Sequence, residues 1–342
     1  MEELILSRLI YLINNDRSKD IGLFTGKSGW CLALYVYAFK RRDKKILAIA
    51  ETIFREIISD LSSLENESFD KGVSGVASFI NIVFDLGFIS GDINNILYES
   101  DCRIYRYINK NIEQLKFNVT EGLLGYLMYY SIRLKNDGDG IQDSLNRSAL
   151  RLLVDRLYNE APRYLKSMYS DMLISVLGEV PIMIFVLRKI FDIGIYDHKI
   201  MSMFNEWKMY LLTISPFYNI NKLLLVDSLL YINKRLNDSS LENRIRILIE
   251  SIEFDEIKSE IDNRIFNINE GWPLAAFALY QMSILSGNNK IIRNRAEAVL
   301  ETIKKSYFSD SLSRVNQKTD CSLINGLSGL LILCVMYPHV IS

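Results

Sequence analysis

Two helical patterns alternate along the chain. The first is apolar on nearly every face and opens on two glycines three residues apart. Gly26-Lys27-Ser28-Gly29 leads into Trp30-Cys31-Leu32-Ala33-Leu34, and Gly72-Val73-Ser74-Gly75, Gly122-Leu123-Leu124-Gly125 and Gly326-Leu327-Ser328-Gly329 lead into similar runs. Weaker openings stand at Gly178 and Gly271. The first glycines recur about every fifty residues, with one double step between Gly178 and Gly271, which places a degenerate copy near Asn221 to Leu236. A fixed period of this size marks a repeat architecture. The second pattern is amphipathic: Ile46, Ile49, Ile53, Ile57 and Leu61 mark one face at helical spacing.

Read in order, the amphipathic segments are 4–13, 43–61, 92–115, 141–158, 200–214, 241–261 and 291–307. The apolar segments are 26–40, 72–86, 122–134, 171–191, 222–236, 272–285 and 326–337. Pro181 fits only near a helix start, so the fourth apolar helix begins at Gly178 or just after. Gly87 is a C-cap for the second, and 136–140 is a loop. An amphipathic helix is half exposed; one that is apolar all round is buried. The pattern therefore predicts an all-α fold, an α/α toroid of about seven helix pairs, with the Gly-x-x-Gly helices inside and one domain over residues 1–342. Closure into a ring is favoured because the last glycine helix is as apolar as the first. The paired glycines share one helix face and are expected to let neighbouring inner helices approach.

Composition narrows the function classes. The 342 residues are 49% hydrophobic and carry a formal net charge of −1, with no basic patch, so nucleic acid is not an expected partner. The apolar run near 172–187 is broken by Gly178, Glu179 and Pro181, so no integral membrane segment is expected. The N-terminus does not fit a signal peptide, and Cys31, Cys102, Cys321 and Cys334 lack C-x-x-C spacing; both suit reduced thiols in the cytoplasm. Cys31 and Cys334 lie within apolar helices. Cys321, on the loop before the last glycine helix, is expected to be the accessible thiol.

The glycine entrances, with Phe69-Asp70-Lys71-Gly72-Val73-Ser74-Gly75 followed by Leu86-Gly87-Phe88-Ile89-Ser90-Gly91-Asp92, resemble the lanthionine synthetase C-like (LanC-like) family. That resemblance implies a toroid acting in ribosomal peptide maturation. It also implies, for cyclising members, a zinc ion held by two cysteines and a histidine at the fifth and sixth inner-helix entrances, which makes a peptide thiol nucleophilic. At those places this chain has Asn219-Ile220-Asn221-Lys222 and Asn269-Glu270-Gly271, and its two histidines, His198 and His339, lie elsewhere. The expectation is thus no metal and no cofactor: an accessory protein that binds a precursor peptide or a peptide-modifying enzyme. The alternative is a metal-independent enzyme, glycosidase- or cyclase-like, using carboxylates at the toroid mouth.

Residues at the inner-helix entrances carry the candidate chemistry. Glu121, Glu270 and Asp70 are the candidate acids and bases. Lys27, Lys71, Asn325 and Trp272 are the candidate peptide contacts, the lysines and free helix N–H groups attracting peptide carboxylates. Thr25 and Glu179 stand at equivalent positions. The plainer reading of each acid is a first-turn charge that favours its helix.

Overall fold

The computed structural model describes residues 2–136, 141–167, 179–260, 268–269, 272–285, 294, 297–298 and 320–337. Among them there is helix and no strand. The chain divides into two compact units. One comprises 2–157 with 320–336; the other comprises 158–319 with 337–342.

In the first unit, α1 (Glu2–Asn15), α3 (Lys44–Asp60) and α5 (Ile93–Asn111) are amphipathic, while α2 (Lys27–Arg41), α4 (Val73–Asp85) and α6 (Leu123–Arg133) follow glycine entrances. The contrast in burial matches the two patterns. Every residue of α2 from Ser28 to Ala38 is buried, whereas α3 buries only Ile46, Ala50, Ile53 and Ile57. Amphipathic helices start on carboxylate caps: Asp43 accepts from the N–H groups of Lys45 and Ile46, and Asp92 from that of Asn94. After α4 the chain turns at Gly87 (φ +81°), with Gly87 N–H donating to Phe84 C=O and Phe88 N–H to Val83 C=O, the double bond of a Schellman end.

α7 (Ile141–Ser167) continues past the expected end near Tyr158 and contains Pro162. In the second unit, α8 (Glu179–Asp192) begins just after Gly178, so Pro181 falls in its first turn. α9 (Asp197–Leu211) and α10 (Asn219–Leu236) follow. The amphipathic stretch 241–261 splits into α11 (Ser239–Glu250) and α12 (Ile257–Glu260). α13 (Trp272–Leu285) is the sixth apolar helix, and α10 packs against α8, α11 and α13. In the first unit the final helix, α14 (Leu327–Met336), packs against both α1 and α2, so the last glycine helix meets the first. The loop 136–140 and the amphipathic segment 291–307 fall largely outside the described residues.

A buried polar cluster ties α4 through α7 together. Arg133 and Asp101 form an ion pair (2.8 Å) with side chains 1% and 0% exposed. Asp101 also accepts from the Tyr129 hydroxyl, Gln142 Nε2 (2.6 Å) and Asn146 Nδ2, and Arg133 donates to Asn81 and Asn94. Burying both charges is costly, and the surrounding donors and acceptors offset that cost.

Candidate functional site

The entrance loops are built alike. The residue after each first glycine donates its N–H to the carbonyl seven positions earlier: Lys27 to Asp20 (2.9 Å), Val73 to Asn66 (3.0 Å), Leu123 to Lys116 (2.8 Å) and Leu327 to Asp320 (3.0 Å). In the first, second and last loops that earlier residue is Asp or Asn, whose side chain accepts from the N–H two residues on: Gly22, Ser68 and Ser322. The serines inside three motifs repeat the seven-residue reach, Ser28 Oγ donating to Ile21 C=O, Ser74 to Glu67 C=O and Ser328 to Cys321 C=O.

This geometry revises the role of the glycines. A Cβ at Gly29, Gly75 or Gly125 would lie 2.3, 2.1 or 2.1 Å from the carbonyl oxygen of Leu23, Phe69 or Val119 in its own entrance loop. Contacts with the neighbouring entrance come second: 2.9 Å from Leu323 Cβ, 3.0 Å from Leu23 Cβ and 2.7 Å from Phe69 Cβ. The glycines admit the helix's own loop first and a neighbouring loop next, rather than a neighbouring helix.

Successive loops also bond to one another. Leu323 N–H donates to Phe24 C=O (2.7 Å), Leu23 and Phe24 N–H to Asp70 C=O (2.7 and 3.2 Å), and Phe69 and Asp70 N–H to Thr120 C=O (2.9 and 3.0 Å). Asp70 therefore sits where three entrances join. Beside it lies a cavity of about 650 Å³ between the second and third entrances, walled by Asp70, Lys71 and Glu121 and by Tyr107 and Tyr126.

Asp70 Oδ1 is buried and, among the described residues, accepts no hydrogen bond. Burial raises the Asp70 carboxyl pKa; Lys71 opposes the shift, and Asp20 and Glu121 reinforce it. Glu121 pairs with Lys116 (2.9 Å), but these side chains are 61% and 69% exposed, so the pair contributes little to stability. The Tyr107 and Tyr126 ring centroids are 5.9 Å apart, and burial pushes the Tyr126 hydroxyl pKa far up, keeping it neutral.

The structure thus brings three sequence candidates, Asp70, Lys71 and Glu121, to one cavity. Lys27 is elsewhere, paired with Glu56 of α3 (2.6 Å), and Thr25 donates to Asp20. Asn325 is exposed, its N–H donating to Ser322 Oγ (3.2 Å). Trp272 opens α13, with its side chain outside the described residues, as are Glu270 and the Glu179 side chain. Cys321 corrects an expectation: it is 5% exposed, and burial, with Asp16 and Asp320 nearby, pushes its thiol pKa up to about 12. Its backbone carbonyl accepts from Ser328 Oγ, which ties the loop to the start of the last helix. Sequence reading missed Tyr107, Asn111 and Gln114, since they come from the end of an amphipathic helix and the turn after it.

The fifth entrance has no glycine and is built differently. Glu260, from α12, accepts from Asn219 N–H (2.8 Å), Asn219 Nδ2 (2.7 Å) and Ile220 N–H (3.2 Å). Asn219 Oδ1 in turn accepts from Glu253 N–H and Lys222 Nζ, and Lys222 Nζ also donates to Ser251 C=O. A carboxylate from the following segment thereby covers the first N–H groups of α10. No cysteine occurs between residues 158 and 319, and His198 is an exposed first-turn residue of α9. Among the described residues no three His, Cys, Asp or Glu side chains are grouped to hold a metal ion. An amide, a lysine and a carboxylate already bonded to helix N–H groups do not fit a thiolate–imidazole zinc site.

Fold and entrances together define a helical-repeat protein whose inner helices start on glycine-opened, cross-bonded loops. Residues 17–172 match the family model described as lanthionine synthetase C-like protein. The chain is also similar to the solved structure of "Nisin cyclase", with a TM-score of 0.65 and 16% identity over 99% of this chain and 94% of that one. The structural likeness shows the fold class, the α/α toroid of LanC-like proteins. No curated protein sequence matches the chain.

Proposed function

We propose that this chain is an accessory protein of ribosomal, lanthipeptide-type peptide maturation, its whole length acting as one LanC-like domain. It binds a precursor peptide or the enzyme that modifies it, and does so without zinc-dependent ring closure. The observation that carries this reading is the fifth entrance. Residues 17–172 match the family model and the fold is similar, while at the fifth entrance, where the resemblance would put a zinc ligand, the chain has Asn219, Glu260 and Lys222 bonded to one another, which supports a zinc-free reading. The cavity beside Asp70 supplies a polar recess of a size suited to a side chain. The four cysteines are free thiols, consistent with work in the cytoplasm, and no helix among the described residues is long and apolar enough to cross a membrane. The test is a binding titration of the precursor peptide with and without a strong chelator. Equal affinity in both supports the reading; binding that needs added zinc defeats it.

One observation favours a second reading, a metal-independent enzyme. Asp70, with a raised pKa, and Glu121 share one cavity, and an acid beside a carboxylate suits glycoside or cyclase-type chemistry. Turnover of a glycoside or prenyl diphosphate panel, lost in both Asp70→Asn and Glu121→Gln, would select it.

A further inference from the structure

We propose that the cavity between the second and third entrances takes a basic side chain, a guanidinium or ammonium group, of the peptide partner; this rests on the peptide-binding reading above. Four carboxylates and two ammonium groups line the cavity. Two of the carboxylates are already matched, Glu121 by Lys116 (2.9 Å) and Glu67 by Arg103 (2.8 Å). Glu65 and Asp70 are left facing one counter-charge, Lys71, which makes no ion pair within 4 Å among the described residues. The recess therefore carries an excess of negative charge, the reverse of the peptide-carboxylate site expected from Lys27 and Lys71.

Two further features select an organic cation over a small hydrated ion. The volume of about 650 Å³ exceeds what one ion needs. The Tyr107 and Tyr126 rings form part of its wall, and a cation over a tyrosine face is attracted by the ring quadrupole. Asp70 is half-buried; among the described residues its Oδ1 accepts no hydrogen bond, and Lys71 is the one cation of the wall that offsets its charge. An incoming guanidinium supplies the missing positive charge, and the amides of Asn66, Asn111 and Gln114 surround its remaining donors.

The experiment titrates the full chain with acetyl-Gly-Arg-Gly-amide and with its citrulline and glutamate counterparts, following backbone amide shifts by NMR. The arginine peptide is expected to perturb residues 65–71 and 107–126. The citrulline peptide should bind at least tenfold more weakly, and raised salt should weaken only the arginine peptide. Combined Asp70→Asn and Glu65→Gln should cost tenfold or more in affinity, and Lys71→Glu should tighten binding. Equal binding of arginine and citrulline peptides, or no perturbation at those residues, overturns the proposal. So does unchanged affinity in the double variant with an unchanged melting curve. The precursor peptide, titrated in parallel, separates the two readings. If it binds parent and double variant alike, the cavity assignment fails and peptide binding stands. If it binds neither while the arginine peptide binds, the cation site stands and the precursor reading fails.

Discussion

Replacing Glu260 removes the group that covers the start of α10. In Glu260→Ala three hydrogen bonds to a carboxylate are lost, at 2.7, 2.8 and 3.2 Å. Each bond to a charged group contributes about 1.5–3 kcal/mol in mutational series, but shared acceptors are not additive. Water can reach part of the exposed N–H row once the side chain is gone, which recovers some of the loss. A total near 2–4 kcal/mol is therefore expected. Glu260→Gln keeps one oxygen acceptor and removes the charge, so it should fall between alanine and parent. The assay is urea unfolding followed by helical circular dichroism, with hydrogen exchange at the α10 amides to localise the effect. Added zinc should restore nothing, since residues 158–319 contain no cysteine to supply a thiolate. A Glu260→Ala protein within about 0.5 kcal/mol of the parent, with unchanged α10 exchange, would show that Glu260 does not hold the start of α10.

Asp101→Ala should destabilise the first unit by about 3–5 kcal/mol, because Arg133 is left buried without its counter-charge; chemical denaturation measures it. Gly75→Ala should cost about 1–3 kcal/mol or more through overpacking, since its Cβ falls 2.1 Å from Phe69 O; a melting curve against Gly87→Ala, a site with open space but positive φ, separates crowding from backbone strain. Asp70 tests the pH dependence. Burial raises its folded pKa, so the folded chain holds the proton more tightly than the unfolded chain. The stability it costs is greatest above the folded pKa and disappears as pH falls below the unfolded value. Asp70→Asn should therefore be more stable than the parent at pH 7, with the difference shrinking toward pH 4 in paired urea titrations.

The helices were legible because their patterns are physical. A face of Ile46, Ile53 and Ile57 fixes α3, and unbroken apolar runs fix α2, α4 and α14. Their beginnings were legible as well, since Gly-x-x-Gly leaves no room for side chains against the entrance loop. The reason for that room was not, because the seven-residue return from Val73 to Asn66 depends on carbonyls, which every residue carries. The split at Ser251 escaped notice since Ile252 and Phe254 are buried in the turn between α11 and α12 and so continue the apolar pattern. In the candidate site, Asp70, Lys71 and Glu121 could be read from their places beside glycines. Glu260 could not, because its partner, Asn219, lies forty-one residues away at an entrance with no glycine signal.

If a LanC-like fold here serves peptide binding without thioether formation, the protein should hold a dehydrated precursor peptide and leave its thiols intact. The decisive experiment incubates the full chain, with added zinc, with that peptide, counting alkylatable peptide thiols by mass spectrometry while recording co-elution. The peptide is expected to co-elute with the protein and keep every thiol. Zinc-dependent loss of peptide thiols at catalytic protein concentration would instead make the protein a cyclase.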